Sequence, residues 1–168
     1  MKKISALLIF VFLISGMLTS CGLQVPRPEI KEGRFNYSVT YEINGAVETL
    51  SGVYVCEYNG TSWSVDGGYH RSWKGSYEGD VKDDVKIIGT TYDGGKIELS
   101  LGFYPHYFMG ESIDVDLEAP EAHLVVSFVN GEEVLIESQA DVIEEKYGAR
   151  IISYEYDDPI KNSFGLFK

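Results

Sequence analysis

Two cysteines, three histidines and several acidic clusters are the side chains here with the types to do chemistry, and their spacing decides which chemistry is open. Cys56 lies in Val53-Tyr54-Val55-Cys56-Glu57-Tyr58, a strand pattern with no adjacent His or cationic group to lower a thiol pKa, so it reads as a small buried hydrophobe rather than a nucleophile. His70, His106 and His123 fall in three separate segments without the His-x-x-x-His spacing of a zinc site, and no metal is expected. Asp80, Asp83 and Asp84, then Asp114, Asp116 and Glu118, then Asp157 and Asp158 concentrate acid without the spacing of an EF-hand loop. From Glu111 to Glu118 the carboxylates alternate with Ile113, Val115 and Leu117, as on the wet face of an edge strand. No Gly-x-Ser-x-Gly, Ser-x-x-Lys, His-Glu-x-x-His or phosphate-cradling glycine loop occurs, so no catalytic residue is assigned. Hydrolysis by paired carboxylates stays open, because such a pair is defined by its separation in space. The 12 Tyr, 8 Phe and two Trp are the more suggestive feature. Tyr37, Tyr41 and Tyr54 fall on an inward-facing row, whereas Tyr69, Trp73, Tyr104 and Tyr107, in the segments Tyr69–Tyr77 and Phe103–Phe108, form the candidate binding surface for a sugar or a partner protein.

These groups are placed by a leader and a domain. Lys2 and Lys3 precede an uncharged apolar run, Ile4 to Leu18, that ends in Leu18-Thr19-Ser20-Cys21. A basic start, an apolar stretch too short to span with margin and small residues before a cut describe a secretory signal peptide over residues 1–20. The tetrad resembles the lipobox of bacterial lipoproteins at all four positions. That resemblance implies cleavage between Ser20 and Cys21, a diacylglyceryl group on the Cys21 thiol and acylation of the new amino terminus by a chain such as palmitate. A covalent lipid on Cys21 is the one non-protein group expected. Each buried methylene contributes about 0.8 kcal/mol, so two or three acyl chains anchor the chain durably to the extracytoplasmic face of the cell membrane.

Without residues 1–20 the chain keeps 148 residues, enough for one core-bearing domain. Lys2 and Lys3 leave with the leader, and 12 basic residues then face 26 acidic ones, a balance of -14. Nucleic acid is excluded as a partner, since no basic stripe exists to replace phosphate counterions. Anionic headgroups push such a surface outward from its anchor. With Cys21 committed to lipid, Cys56 is left without a disulfide partner in the chain.

Residues 21–33, with Pro26 and Pro28, read as lipidated terminus and stiff tether, and residues 34–168 as one β-rich domain. Phe35, Tyr37, Val39, Tyr41 and Ile43 alternate with polar residues up to Asn44-Gly45, a hairpin signal that pairs Ile43 with Ala46, Val39 with Leu50 and Phe35 with Tyr54. Val53 and Val55 face the other way, which implies either cover on both sides or a bulge near Gly52. Asn59 to Gly68 reads as a polar, glycine-rich connection, and Tyr69 to Tyr77 as a strand or a wide loop. A second hairpin, Val85 to Tyr104 around Asp93-Gly94-Gly95, puts Val85 and Ile87 on the face of Ile97, Leu99, Leu101 and Phe103. A third, Ala122 to Ser138 around Asn130-Gly131, puts Leu124, Val126 and Phe128 beside Val134 and Ile136. Ser138 is positioned to cap a helix Gln139–Tyr147 that stops at Gly148, and Arg150 to Tyr156 is a last strand. The expected fold is mainly β, an antiparallel sandwich or strongly curved sheet with one short C-terminal helix.

Through Val39-Thr40-Tyr41-Glu42-Ile43-Asn44-Gly45, Tyr69-His70-Arg71-Ser72-Trp73-Lys74, Tyr107-Phe108-Met109-Gly110 and the run from Lys146 to Tyr156, the chain is similar to a family of small bacterial envelope lipoproteins. The similarity implies a single domain and a late helix followed by a strand, and it carries no activity. The functional expectation is a membrane-anchored, non-catalytic module that binds an envelope protein or a glycan. A paired-carboxylate envelope hydrolase and an inhibitor or immunity-type lipoprotein are the alternatives.

Overall fold

The computed structural model describes residues 25–65, 68–81, 83–111, 119–130 and 133–165; Ser20, Cys21 and the acidic run 112–118 lie outside them. The described strands are β1 (Arg27–Pro28), β2 (Glu32–Ile43), β3 (Ala46–Ser64), β4 (Gly68–Gly79), β5 (Val85–Thr90), β6 (Lys96–Gly102), β7 (Glu121–Asn130), β8 (Glu133–Glu137), β9 (Ala149–Tyr156) and β10 (Phe164–Gly165). Two helices join them, α1 (Pro105–Phe108) and α2 (Ala140–Tyr147). The strands form two four-stranded antiparallel sheets, in the orders β4-β3-β2-β9 and β5-β6-β7-β8, with β1 and β10 as a separate pair. Their apolar faces share one core, and the fold is an antiparallel β-sandwich.

Asn44 and Gly45 hold φ of 51° and 80°, the conformation a two-residue hairpin loop requires, and the register of β2 on β3 follows. Ile43 opposes Ala46, Val39 opposes Leu50 and Phe35 opposes Tyr54, as the spacing predicts. The pairing runs unbroken past Gly52, and Val55 is buried on the face opposite Tyr54 and Cys56. Cover on both sides, not a bulge, therefore explains the break in alternation. Gly52 instead makes room for a neighbouring ring, since a Cβ there would lie 2.5 Å from the Tyr37 hydroxyl. The bulge comes later, between Tyr58 and Thr61, where Gly60 takes φ 86°. It lets β3 run on to Ser64 and pair with β4, so the expected connection from Asn59 to Gly68 is mostly strand.

The core divides by side-chain type. Val39, Ile43, Leu50, Ile97, Leu99, Leu101, Leu124 and Val126 form an aliphatic part. Phe35, Tyr37, Tyr54, Tyr77, Phe103 and Phe108 form an aromatic part, with ring centroids 4.7 Å apart for Phe35 and Phe108 and 5.4 Å for Tyr37 and Phe103. Each fully buried side chain of this size contributes about 1.5–3 kcal/mol. Helix α2 closes the aliphatic end with Ile143, and Tyr147 reaches Phe128 at 6.0 Å. Its cap differs from expectation: Gln139 is the N-cap residue without a side-chain bond, and Glu137 accepts the N–H groups of Ser138 and Gln139. Gly148, at φ 59°, ends the helix as expected.

Two strand faces depart from the expected pattern. β5 pairs Val85 with Ser100 and Ile87 with Glu98, which leaves Val85 and Ile87 exposed and shifts the inward position to Ile88. The cause is the bulge between Ile87 and Gly89: Gly89 still opposes Ile97 on the inward face, and the register shift beyond it turns the rest of the strand over. The loop itself is two residues longer than Asp93-Gly94-Gly95, which leaves the faces unchanged; buried Thr91 belongs to it, accepting from the Gly95 N–H at 2.7 Å and donating to Asp93. In β8 Ile136 opposes Ser127 and is exposed, while Leu135 takes the position across from Phe128. A one-residue shift of register reverses every face of a strand.

Candidate functional site

An open groove of about 600 Å³ lies where the edge strand β4 meets the ends of β6 and β7. Its floor is aromatic and comes from alternation on β3 and β4, which points Tyr54 and Tyr77 across the sandwich from paired positions. The two rings sit 4.8 Å apart. Tyr54 donates to the Phe103 carbonyl at 3.1 Å, and Tyr77 to the Leu101 carbonyl at 3.0 Å, so each hydroxyl ties the first sheet to the second. Burial, followed by nearby acidic groups, pushes both phenols well above the usual tyrosine range, and they serve as neutral donors. Gly75 keeps this floor open, since a Cβ there would stand 2.0 Å from the Tyr54 hydroxyl.

The walls are polar. Asp83 and Asp84 contribute exposed carboxylates from the connection between β4 and β5, and the Asp84 carbonyl accepts from the Leu101 N–H at 2.8 Å, which fixes that connection to β6. His123 comes from β7 opposite Ser100, and Tyr104 stands 47% exposed just before α1. Tyr54 itself is 3% exposed, so the half-buried Tyr77 and the exposed Tyr104 are the aromatic groups a ligand meets, and with carboxylates on one wall they suit a ligand with an apolar or sugar-like face and a positive group. The acidic pair is adjacent in sequence on a single wall, unlike the facing carboxylates that glycoside hydrolysis uses. Cys56 is fully buried and its thiol is pushed up to about 12 by burial, so at neutral pH it is not a nucleophile.

A second polar assembly sits under the N-terminal segment. Arg71 and Trp73 share a face of β4, and both donate to Glu111, Arg71 through Nε and Trp73 through Nε1. His106 of α1 reaches the same carboxylate through Nδ1 at 3.0 Å. A carboxylate only accepts, so Nδ1 carries the proton in this arrangement. Arg71 also donates to the Pro26 carbonyl at 3.1 Å, and its guanidinium lies 4.1 Å from the centre of the Phe164 ring. Glu111 is 6% exposed and not on the wet face expected of it. One carboxylate thus joins β4, α1 and, through Arg71, the two terminal segments.

The residues singled out in sequence separate accordingly. Tyr104 lines the groove. Tyr107 is half-buried and packs on Phe108 and Tyr156, at 5.4 and 6.3 Å. Trp73 is buried against Tyr58 and bound to Glu111, which corrects its place on an exposed binding surface. Tyr69 is exposed opposite Trp63 on β3. Ser20 and Cys21 lie outside the described residues. Sequence reasoning missed Asp83, Asp84 and His123 as groove residues, because only the sheet order brings them together. Of the Glu111 assembly, the one local sign was the spacing of Arg71 and Trp73 on one strand face. Among the described residues no His, Cys, Asp and Glu side chains gather as a metal-binding group, and no helix is long and apolar enough to cross a membrane. Comparison with protein-family models, curated proteins and solved structures found no match.

Proposed function

We propose that this chain is a lipid-anchored binding domain of the bacterial cell envelope, held on the extracytoplasmic face of the membrane through Cys21. The observation that carries the binding role is the groove, with Tyr54 and Tyr77 below and Asp83 and Asp84 on one wall. Its ligand is a segment of an envelope glycan or protein that rests against Tyr104 and the edge of Tyr77 and presents an amino group to the carboxylates. The exposed wall keeps the site open to a polymer. The anchor is supported by the basic start, the apolar run and the Leu18-Thr19-Ser20-Cys21 tetrad.

Calorimetric titration of the mature protein with glucosamine oligomers and with their N-acetylated counterparts tests the groove. The amine-bearing oligomers bind saturably, and Asp83→Asn/Asp84→Asn weakens them by roughly tenfold or more, as expected for loss of a charge-assisted bond. Equal binding by the double variant, or no binding of amine-bearing oligomers, refutes the assignment. Mass spectrometry of the mature amino terminus tests the anchor separately: an unmodified Cys21, or a different first residue, refutes it.

A further inference from the structure

We infer that the end of the β3–β4 hairpin is a second membrane contact, one that orients the domain on the bilayer in which its lipid is inserted. The inference rests on the anchor at Cys21. β2 accompanies β3 only as far as Glu57, opposite Glu32. From Thr61 opposite Arg71 to Ser64 opposite Gly68 the two strands continue alone, a ribbon about 14 Å long. It carries Trp63 at 60% exposure directly across from Tyr69 at 54%, and beyond them Val65 at 83%. Trp and Tyr with apolar bodies and polar edges are the residues that settle at a membrane–water interface.

The tether fixes the occupant. Arg71 holds the Pro26 carbonyl, and Tyr69 lies two residues from Arg71 on the same face of β4, about 7 Å along the strand. From Pro26 back to Cys21 is five residues, at most about 18 Å of chain. A bilayer holding acyl chains on Cys21 is therefore within reach of the aromatic pair. Charge agrees with this placement. With Arg71 already paired to Glu111, residues 58–74 leave Asp66 against Lys74, a balance of zero in a chain that is otherwise strongly acidic, so anionic headgroups repel this stretch less than the rest of the surface.

The test uses the full chain, expressed with its leader, purified as the mature protein and reconstituted in phosphatidylethanolamine–phosphatidylglycerol vesicles with or without acyl chains brominated near the headgroup. Trp63 and Trp73 are the only tryptophans, so the difference between wild type and Trp63→Phe isolates Trp63. Brominated lipid causes a loss of Trp63 emission and leaves the buried Trp73 emission of Trp63→Phe unchanged. Protein that floats with the vesicles while Trp63 is unquenched overturns the second contact and leaves the anchor standing. Protein that does not float, with Cys21 unmodified by mass, overturns the anchor and this inference with it. A Trp63 signal that answers to soluble peptidoglycan fragments and not to brominated lipid overturns it in favour of a sugar platform.

Discussion

Replacing Glu111 with Gln is the sharpest probe of how this domain is held together. The carboxylate accepts from Arg71 on Oε1 and from both Trp73 and His106 on Oε2. A carboxamide keeps the shape but turns one oxygen into an NH₂ donor. If the remaining oxygen serves Trp73 and His106, the NH₂ faces the Arg71 guanidinium, which is 16% exposed; in the other orientation it faces two N–H donors. Either way a buried donor goes unsatisfied, at about 1–3 kcal/mol, and the guanidinium loses its counter-charge. Removing one partner of a buried pair costs about 3–5 kcal/mol, and the retained acceptor brings our figure to about 3 kcal/mol. In a domain of ordinary stability that is a large fraction of the total. Urea unfolding followed by Trp73 fluorescence measures it, since Trp73 reports on the site directly. The control is Glu78→Gln, which breaks a surface pair with Arg34 and leaves the unfolding midpoint unmoved. A Glu111→Gln protein within about 1 kcal/mol of wild type refutes the account of Glu111 as a buried tie.

Other perturbations follow from the same geometry. Tyr37 buries a hydroxyl that has no hydrogen-bond partner among the described residues, so Tyr37→Phe leaves the domain as stable or raises its stability by about 1 kcal/mol in the same urea assay. Gly75→Val displaces the Tyr54 hydroxyl, with an expected loss of about 1–3 kcal/mol and of ligand binding in the groove, both read from one protein preparation. Stability falls in alkali, because burial raises Cys56 from 9.0 to about 12 and Tyr37 and Tyr41 from 10.0 to about 12. The unfolded chain releases these protons first, so stability is intact below pH 9 and declines through pH 12 by about 1.4 kcal/mol per pH unit for each group titrating. Urea midpoints at several pH values check the sign, and Cys56→Ala removes the part of the decline that begins near pH 9.

The register of β2 on β3 was legible because a two-residue loop, Asn44-Gly45, permits one pairing and the alternation of Phe35 to Ile43 then decides the faces. Gly148 ended α2 for an equally local reason, a positive φ at the residue after the last turn. β5 was misread because a bulge between Ile87 and Gly89 turns Val85 and Ile87 outward; nothing in the apolar pattern reports that shift. The extension of β3 depended on Gly60, a residue that reads as a breaker and here serves as a bulge. Of the groove, Tyr104 was identified from its aromatic, turn-rich surroundings, while Asp83, Asp84 and His123 meet only through the order of strands in two sheets. Glu111 was hidden by its own alternating neighbours, and its burial is set by Arg71, forty residues earlier.

The antiparallel pairing of β1 with β10, Arg27 opposite Gly165, brings the two ends of the described fold to within one strand spacing, about 5 Å. The backbone is thus close to a closed loop. A cargo fused after the last strand emerges next to the first strand of the described fold and away from the loops at Asn44-Gly45 and Gly94. The same closeness makes the domain a good subject for circular permutation, with a few glycines joining the old ends and new ones cut at an exposed turn.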